Sequence, residues 1–278
     1  MKNLKVLLLF IIILTISGCE KYFFFPQKIL YYMPETCKYS PDNILVETDE
    51  GKTLHGWYFK TPLKNPKGTI FFLHGNSSNI STESVGMVWV LDKGYNLLTF
   101  DYRGYGLSEG KPDIEGVLKD GLDFTDAIMK YNKVDKRNLI IHGQSLGGAV
   151  ASHIAAYSPH AEKIKVLVLD STFTSWKSIS KEIASKNFFT WAWQHPISWG
   201  ITGKYSTLEN VKNSKIKNTI VMHSKKDELI SYDNAEAIFK MAHEKKVMIN
   251  DDYSTHAVIM QNPRVRNDYL NYINKFIK

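Results

Sequence analysis

The sequence predicts an α/β fold in which a mostly parallel, eight-stranded sheet is covered by helices on both faces. From residue 43 onward, short β-rich runs alternate with longer amphipathic stretches, which is typical of strands joined by crossover helices. Several of the short runs are almost continuously apolar, as expected for parallel strands buried on both faces. No repeat or Pro/Gly/Ser-rich linker divides residues 43–278, so we expect one domain there.

The predicted elements follow one another in chain order. NILVET and LHGWYF predict an initial hairpin. Six further strands are predicted at TIFFLHG, NLLTFDYRG, NLIIHGQS, VLVLDST, TIVMHSKKD and KVMINDDYSTH. Apolar residues at helical spacing predict helices at STESVGMVWVLDKG, IEGVLKDGLDFTDAIMKY, LGGAVASHIAAYSP, DNAEAIFKMAHE and PRVRNDYLNYINKFIK. The predicted strands end in polar or glycine residues, and in open α/β sheets chemistry collects at those carboxyl ends.

Residues 1–18 are interpreted as a secretory signal peptide. Lys2 and Lys5 precede an apolar run from Val6 to Leu14, which is too short for a comfortable membrane span. The sequence Ile16-Ser17-Gly18-Cys19 resembles the lipobox of bacterial lipoproteins, which implies that Cys19 is lipidated and becomes the first mature residue. The alternatives are an ordinary signal, or a short membrane anchor with an incidental cysteine. We therefore predict an exported protein attached to a bacterial membrane through Cys19.

Residues 19–42 form an aromatic-rich lead-in between this anchor and the domain. The lead-in either packs against the domain surface or inserts into the membrane. With Cys19 lipidated, only Cys37 remains, so an intramolecular disulfide and a cysteine-based metal site are both excluded. We predict no metal site and no cofactor.

The charge balance argues against a nucleic-acid partner. Removal of residues 1–18 takes away two of the 35 basic side chains, which leaves 33 against 28 acidic ones. This mild excess suits an anionic membrane surface, and there is no basic stripe with interleaved aromatic residues. The sequence does not indicate an oligomeric state.

The segment Gly143-Gln144-Ser145-Leu146-Gly147 joins a predicted strand to a predicted helix. Small residues two before and two after Ser145 permit a sharp turn that leaves the hydroxyl exposed above the sheet. The helix that begins at Leu146 points its positive end at a developing oxyanion. We expect two backbone donors there, one from Leu146 and one from the loop His74–Asn79.

A serine nucleophile needs a base, and the base needs an acid. Asp227 and His256 each follow a predicted strand downstream of Ser145, which is the order serine, acid, histidine. Asp170 ends the preceding strand and stays an alternative acid. The other histidines are less well placed: His153, His223 and His243 are interpreted as structural or surface residues, and His74 and His142 lie upstream of the serine.

In combination, HGNSSNIS, DYRGYGLSEGKP, GQSLGG, the Asp227 segment and STH resemble the α/β-hydrolase superfamily, in particular its small branch of depalmitoylase-like and serine-aminopeptidase-like proteins. The resemblance covers nearly all of residues 43–278 and implies an α/β-hydrolase fold. It also implies a set of roles: Ser145 as nucleophile, Asp227 as acid, His256 as base, the backbone N–H groups of Asn76 and Leu146 as oxyanion donors, and Asp101, Tyr102 and Arg103 as supports of the oxyanion loop. The chain departs from the pattern at Ser77, Ser78 and Ser224, which affects loop geometry and removes no catalytic side chain.

Residues 173–205 are expected to form a short lid with two or three helices. Its aromatic residues either line an acyl pocket over Ser145 or serve only in packing: Phe188, Phe189, Trp191, Trp193 and Trp199. We predict a serine esterase or thioesterase that cleaves an apolar acyl substrate through an acyl-enzyme. One alternative is a peptidase for short peptides, which would favour acidic groups in the lid, where Glu182 is the sole acid. The other is a catalytically silent, membrane-tethered binding module.

Overall fold

The computed structural model describes residues 23–31, 38–186, 194–199 and 201–278. The predicted signal peptide, Cys19 and Cys37 lie outside the described residues. Four of the five lid aromatics also lie outside them: Phe188, Phe189, Trp191 and Trp193. Among the helices of the described residues, none combines the length and apolar character needed to cross a bilayer.

Eight strands form one sheet, and the predicted architecture is confirmed. Their bounds are β1 Asp42–Glu47, β2 Thr53–Phe59, β3 Gly68–Leu73, β4 Tyr95–Phe100, β5 Leu139–Gln144, β6 Ile164–Asp170, β7 Asn218–Ser224 and β8 Lys246–Asp251. Across the sheet they run in the order β8-β7-β6-β5-β3-β4-β2-β1. Strand β2 is antiparallel to its neighbours β1 and β4, and the other neighbouring strands pair in parallel.

The helices occupy the connections between strands. Their bounds are α1 Ile80–Glu83, α2 Ile114–Lys130, α3 Leu146–Tyr157, α4 Trp176–Lys186, α5 Gln194–Trp199, α6 Thr207–Lys212, α7 Tyr232–Met241 and α8 Pro263–Phe276. The prediction of one helix at STESVGMVWVLDKG is wrong, because α1 ends at Glu83 and two 3-10 segments follow, Ser84–Gly86 and Val88–Lys93. Gly86 and the flanking valines have low helix propensity, which accounts for the break.

Two hydrophobic cores cover the two faces of the sheet. Because side chains alternate along a strand, Phe71 and Leu73 of β3 pack with α2 and α3 on one face. Ile70 and Phe72 pack with α8 and the 3-10 segments on the other. The near-continuous apolar runs therefore reflect strands buried on both sides.

Local chemistry sets where the longer helices begin. The Asp113 side chain caps α2 by accepting a hydrogen bond from the N–H of Gly116 at 2.8 Å. Asn262 caps α8, and Pro263 follows at the first helical position. Ser145 precedes α3 and makes no such capping bond, so its hydroxyl is not used to start the helix.

The turn at Ser145 is as tight as the glycine spacing predicts. Ser145 has φ 52° and ψ −114°, which lies in a region that L residues rarely adopt. A Cβ atom on Gly143 would lie 2.1 Å from the carbonyl oxygen of Gly147. One on Gly147 would lie 2.0 Å from the carbonyl oxygen of Leu73. Only glycine fits at these two positions, because backbone atoms cannot move aside as a flexible side chain can.

We therefore predict that Gly147→Ala destabilises the protein by about 3 kcal/mol, because the added methyl group forces α3 away from β3. The measurement is urea unfolding followed by circular dichroism. Gly86→Ala is the matched control, since a Cβ there meets no atom within 4 Å. Equal unfolding midpoints for the two variants would contradict this account of the turn.

Candidate active site

The structure brings Ser145, His256 and Asp227 together at the carboxyl edge of the sheet. The Oγ of Ser145 lies 3.1 Å from Nε2 of His256, and Nδ1 of His256 lies 2.8 Å from Oδ2 of Asp227. An ionised carboxylate can only accept, so Nδ1 carries the hydrogen and Nε2 is free to accept from the serine hydroxyl. The Asp227 side chain is inaccessible to solvent, and that of His256 is 16% exposed.

Hydrogen bonds keep the buried Asp227 carboxylate ionised. Its Oδ1 accepts from the backbone N–H groups of Leu229 at 2.9 Å and Ile230 at 2.8 Å. Burial alone would raise the pKa of Asp227, but bonds from His223 and His256 hold that pKa well below its ordinary range. The acid is therefore charged at neutral pH.

His223 contacts this acid, which the sequence did not predict. Its Nε2 lies 2.9 Å from the carbonyl oxygen of Ile230 and 3.3 Å from Oδ2 of Asp227. Both partners only accept, so Nε2 carries a hydrogen, which it donates to Ile230 while it lies close to the same Asp227 oxygen that His256 uses. The available signal was position, because His223 lies near the end of β7, four residues before Asp227.

Asp170 lies beneath the turn and contacts other groups. Its carboxylate accepts from the hydroxyl of Ser171 at 2.9 Å and from Nε2 of Gln144 at 3.3 Å. Gln144 also donates to the carbonyl oxygen of Ala257 at 2.8 Å, which ties the turn to the His256 loop. Of the two candidate acids, the structure brings Asp227 to the histidine.

The loop His74–Asn79 lies against Ser145. A Cβ atom on Gly75 would lie 3.8 Å from that of Ser145. Tyr102 donates its hydroxyl to the carbonyl oxygen of His74 at 3.0 Å. Within the described residues, no hydrogen bond uses the N–H groups of Asn76 or Leu146, so both are available to a ligand.

The turn after β4 supports this loop in part. Asp101 accepts from the N–H of Ile80 at 2.9 Å through Oδ1. The expectation for Arg103 is wrong, because its guanidinium binds the Asp120 carboxylate of α2 at 2.7 Å and does not contact the loop. Tyr105, which the sequence did not single out, donates to the carbonyl oxygen of Asn76 at 2.8 Å.

Backbone strain is concentrated around the site. Among the described residues, four non-glycine positions have a positive φ: Ser78, Ser145, Ser171 and Ala257. Ser78 lies in the loop His74–Asn79, and Ser145 forms the turn itself. Ser171 directly follows Asp170, and Ala257 directly follows His256. Strain of this kind persists only where surrounding contacts over-determine it, and it clusters at functional sites.

A cleft of about 550 Å³ adjoins the histidine loop and is lined by Glu83, Gln144 and Ala257, among others. Burial raises the pKa of Glu83 to about 7, against a smaller lowering effect from His256. The sequence did not predict this acid beside the site. Within the described residues, no group of three or more histidine, cysteine or acidic side chains could hold a metal ion.

Comparison with known proteins identifies the family. Residues 64–204 match the family model described as serine aminopeptidase, S33. The chain belongs to this family. The match includes Ser145 and ends before Asp227 and His256, so the family model does not cover those two residues.

A curated relative is similar in sequence, and solved structures are similar in fold. The uncharacterized protein YfhR of Salmonella typhi is 29% identical over 235 residues, 79% of this chain and 77% of the relative. The Pyrococcus furiosus esterase Pf2001 superposes with a TM-score of 0.73 at 18% identity, over 91% of this chain and 100% of that one. Acetyl xylan esterase 1 of Thermoanaerobacterium sp. JW/SL YS485 gives 0.67 at 14% identity, over 96% and 94%. The protein is an α/β hydrolase.

The raised pKa of Glu83 predicts a pH-dependent stability. Between about pH 4.5 and 7 the folded state retains a proton that the unfolded chain has released, so stability falls as the pH rises through this window. Glu83→Gln should remove this loss, so the stability of the variant relative to wild type should rise by about 3 kcal/mol between pH 4.5 and 8. Urea unfolding of both proteins at pH 4.5 and pH 8 measures the free energies of unfolding. If their difference were the same at the two pH values, the predicted role of Glu83 would be contradicted.

Proposed function

We propose that this α/β hydrolase is a serine esterase or thioesterase that cleaves an apolar acyl group through an acyl-enzyme. One observation carries the proposal, the unbroken hydrogen-bond chain from Ser145 through His256 to Asp227. The strained turn and the adjacent loop with free N–H groups support it.

The proposed reaction begins with proton transfer. Nε2 of His256 accepts the hydroxyl proton of Ser145 while Oγ attacks the acyl carbonyl carbon. Asp227 then stabilises the imidazolium through Nδ1–H. The second donor, His223, restrains the carboxylate so that its oxygen stays in line with the His256 ring.

The negative charge develops on the former carbonyl oxygen. The N–H groups of Asn76 and Leu146, together with the positive end of α3, are suited to stabilise it. Collapse of the tetrahedral intermediate expels the alcohol or thiol, which takes its proton from His256. Water then attacks the acyl-enzyme with the same base, and the acid product leaves.

The lid favours an ester over a peptide. A peptidase that binds a free amine needs an available acid, and Glu182 is engaged: its carboxylate accepts from Nζ of Lys186 at 2.9 Å and from the N–H of Ser231 at 2.6 Å. Outside the lid, Glu83 lines the cleft beside the histidine loop, and Glu228 accepts from the N–H of His256 at 3.2 Å. The two functions are distinguished by substrate preference: hydrolysis of aminoacyl naphthylamides in preference to acyl esters would favour the peptidase.

We also propose that the protein is exported and held at a bacterial membrane by a lipid on Cys19. The basic residues, apolar run and lipobox-like segment at residues 2–19 support it. A single acyl chain binds membranes only marginally, so stable attachment requires the several chains of a lipoprotein.

The triad predicts non-additive losses of activity. Ser145→Ala and His256→Ala should each lower kcat by roughly a million-fold, and Asp227→Asn by about ten-thousand-fold. The double variant of serine and histidine should be about as slow as either single one, because the base has nothing to activate once the nucleophile is absent. The assay is hydrolysis of acyl p-nitrophenyl esters of graded length, with fluorophosphonate labelling of Ser145.

Asp170→Asn is the control and should keep most of the activity, since Asp170 does not contact His256. Loss of turnover in Asp170→Asn with retention in Asp227→Asn would reassign the acid. A wild-type protein that neither hydrolyses an ester nor takes up the fluorophosphonate would be a silent binding module.

Attachment through Cys19 predicts that wild type partitions into the detergent phase. Cys19→Ala should stay unprocessed or lose the lipid, because the thiol is the acceptor. Mass spectrometry of the mature amino terminus measures this directly. An unmodified amino terminus in the wild-type protein would rule out the lipoprotein.

A further inference from the structure

Four apolar side chains lie on the surface beside the oxyanion loop. Phe25, Ile29, Tyr31 and Leu107, here called the apolar rim, are between 57% and 64% exposed. Scattered exposed apolar residues are ordinary, whereas a clustered group on one surface marks an interaction site.

Hydrogen bonds hold the rim in one place. Phe25 pairs with Ser77 in a short parallel bridge. The Asn79 side chain donates to the carbonyl oxygens of Gln27 at 2.9 Å and Ile29 at 2.8 Å. These bonds lay the segment from Phe25 to Ile29 along the loop that follows Asn76.

Tyr31 and Leu107, the other two residues of the rim, are held next to the segment from Phe25 to Ile29. The N–H of Tyr31 donates to Oγ of Ser81 at 3.0 Å. The N–H of Gly106 donates to the carbonyl oxygen of Gln27 at 2.8 Å, which sets Leu107 beside the segment. These bonds hold the backbone of the rim in place on the domain surface, while its side chains stay in solvent.

The rim borders the entrance to the site. The Asn76 side chain donates to the carbonyl oxygen of Phe23, and Asn76 supplies one of the two proposed oxyanion donors. Phe24 is buried against Trp176 at the start of α4. The segment thus runs between the oxyanion loop and the lid.

The chain before the rim indicates that a lipid bilayer is what the rim contacts. Cys19 lies four residues before Phe23, and four extended residues span at most about 14 Å. A lipid on Cys19 therefore brings the bilayer within reach of the rim. The chain from Cys19 onward has 33 basic against 28 acidic side chains, a formal net charge of +5, which favours an anionic lipid surface.

We propose that the apolar rim inserts into a phospholipid bilayer, so that the active-site entrance faces the membrane and the substrates are acyl lipids resident in it. This inference rests on the proposed hydrolase function for its substrate class, but insertion can be measured without catalysis.

Insertion is tested on the full-length protein with vesicles of phosphatidylethanolamine and phosphatidylglycerol carrying brominated acyl chains. Phe25→Trp should add fluorescence that the bromolipids quench, because the side chain enters the acyl region. Leu63→Trp is the matched control, since Leu63 is exposed near the amino ends of the strands and should not be quenched. Absent or equal quenching for the two variants would overturn the proposal.

Activity gives a second readout. The triple variant Phe25→Ser, Ile29→Ser, Leu107→Ser should hydrolyse a vesicle-embedded palmitoyl ester about tenfold more slowly or worse and a soluble butanoyl ester at the wild-type rate. The control triple Leu45→Ser, Leu63→Ser, Tyr157→Ser, whose sites are between 48% and 69% exposed, should change neither rate.

The outcomes separate the two proposals. Equal rates on vesicles for the two triple variants would overturn the proposal that the rim inserts into the bilayer, and the protein would still be a working esterase. If wild type hydrolyses neither ester and resists the fluorophosphonate, the hydrolase proposal fails, and bromolipid quenching in Phe25→Trp still decides whether the rim enters the bilayer.

Discussion

The strained turn at Ser145 is the constraint on which the rest of the site depends. A non-glycine residue in this conformation costs on the order of 1–3 kcal/mol. Two hydrogen bonds oppose that cost: the N–H of Ser145 donates to the Asp170 carbonyl oxygen at 2.8 Å, and the Thr172 hydroxyl donates to the Ser145 carbonyl oxygen at 2.8 Å. The two glycines that flank the turn let α3 contact β3. As a result the serine hydroxyl is held above the sheet edge, and the N–H of Leu146, the first of α3, stays free.

The buried acid is the second constraint. Burying a carboxylate is costly unless its oxygens are fully paired, and Asp227 meets this with two backbone N–H groups on one oxygen and two imidazoles on the other. His223 also binds the Ile230 carbonyl oxygen, so the same ring closes the turn that positions the acid. The proposed base is thereby oriented by a carboxylate that the fold, and not the solvent, holds in place.

The lead-in segment connects the amino terminus to the chemistry. The oxyanion loop is held between Phe23, which accepts from the Asn76 side chain, and Tyr105, which donates to the Asn76 carbonyl oxygen. In the described residues 23–31 the lead-in packs on the domain surface, with Phe24 buried and Phe25 left in solvent, so packing of the backbone and insertion of the exposed side chains are compatible. Membrane attachment ahead of this segment, as proposed, would therefore act next to the proposed oxyanion site.

The sequence by itself determined the succession of most strands and helices along the chain, the tight turn at Ser145 and a short set of candidate side chains at strand ends. It could do so because burial on both faces leaves continuous apolar runs, and because the glycines at 143 and 147 reflect a purely local steric need. Only the tertiary structure decided that Asp227 and not Asp170 reaches His256, that His223 shares the acid, and that Glu182 is already engaged. These contacts join residues far apart in sequence, and they depend on how neighbouring strands are ordered and how each loop turns, which periodicity does not record.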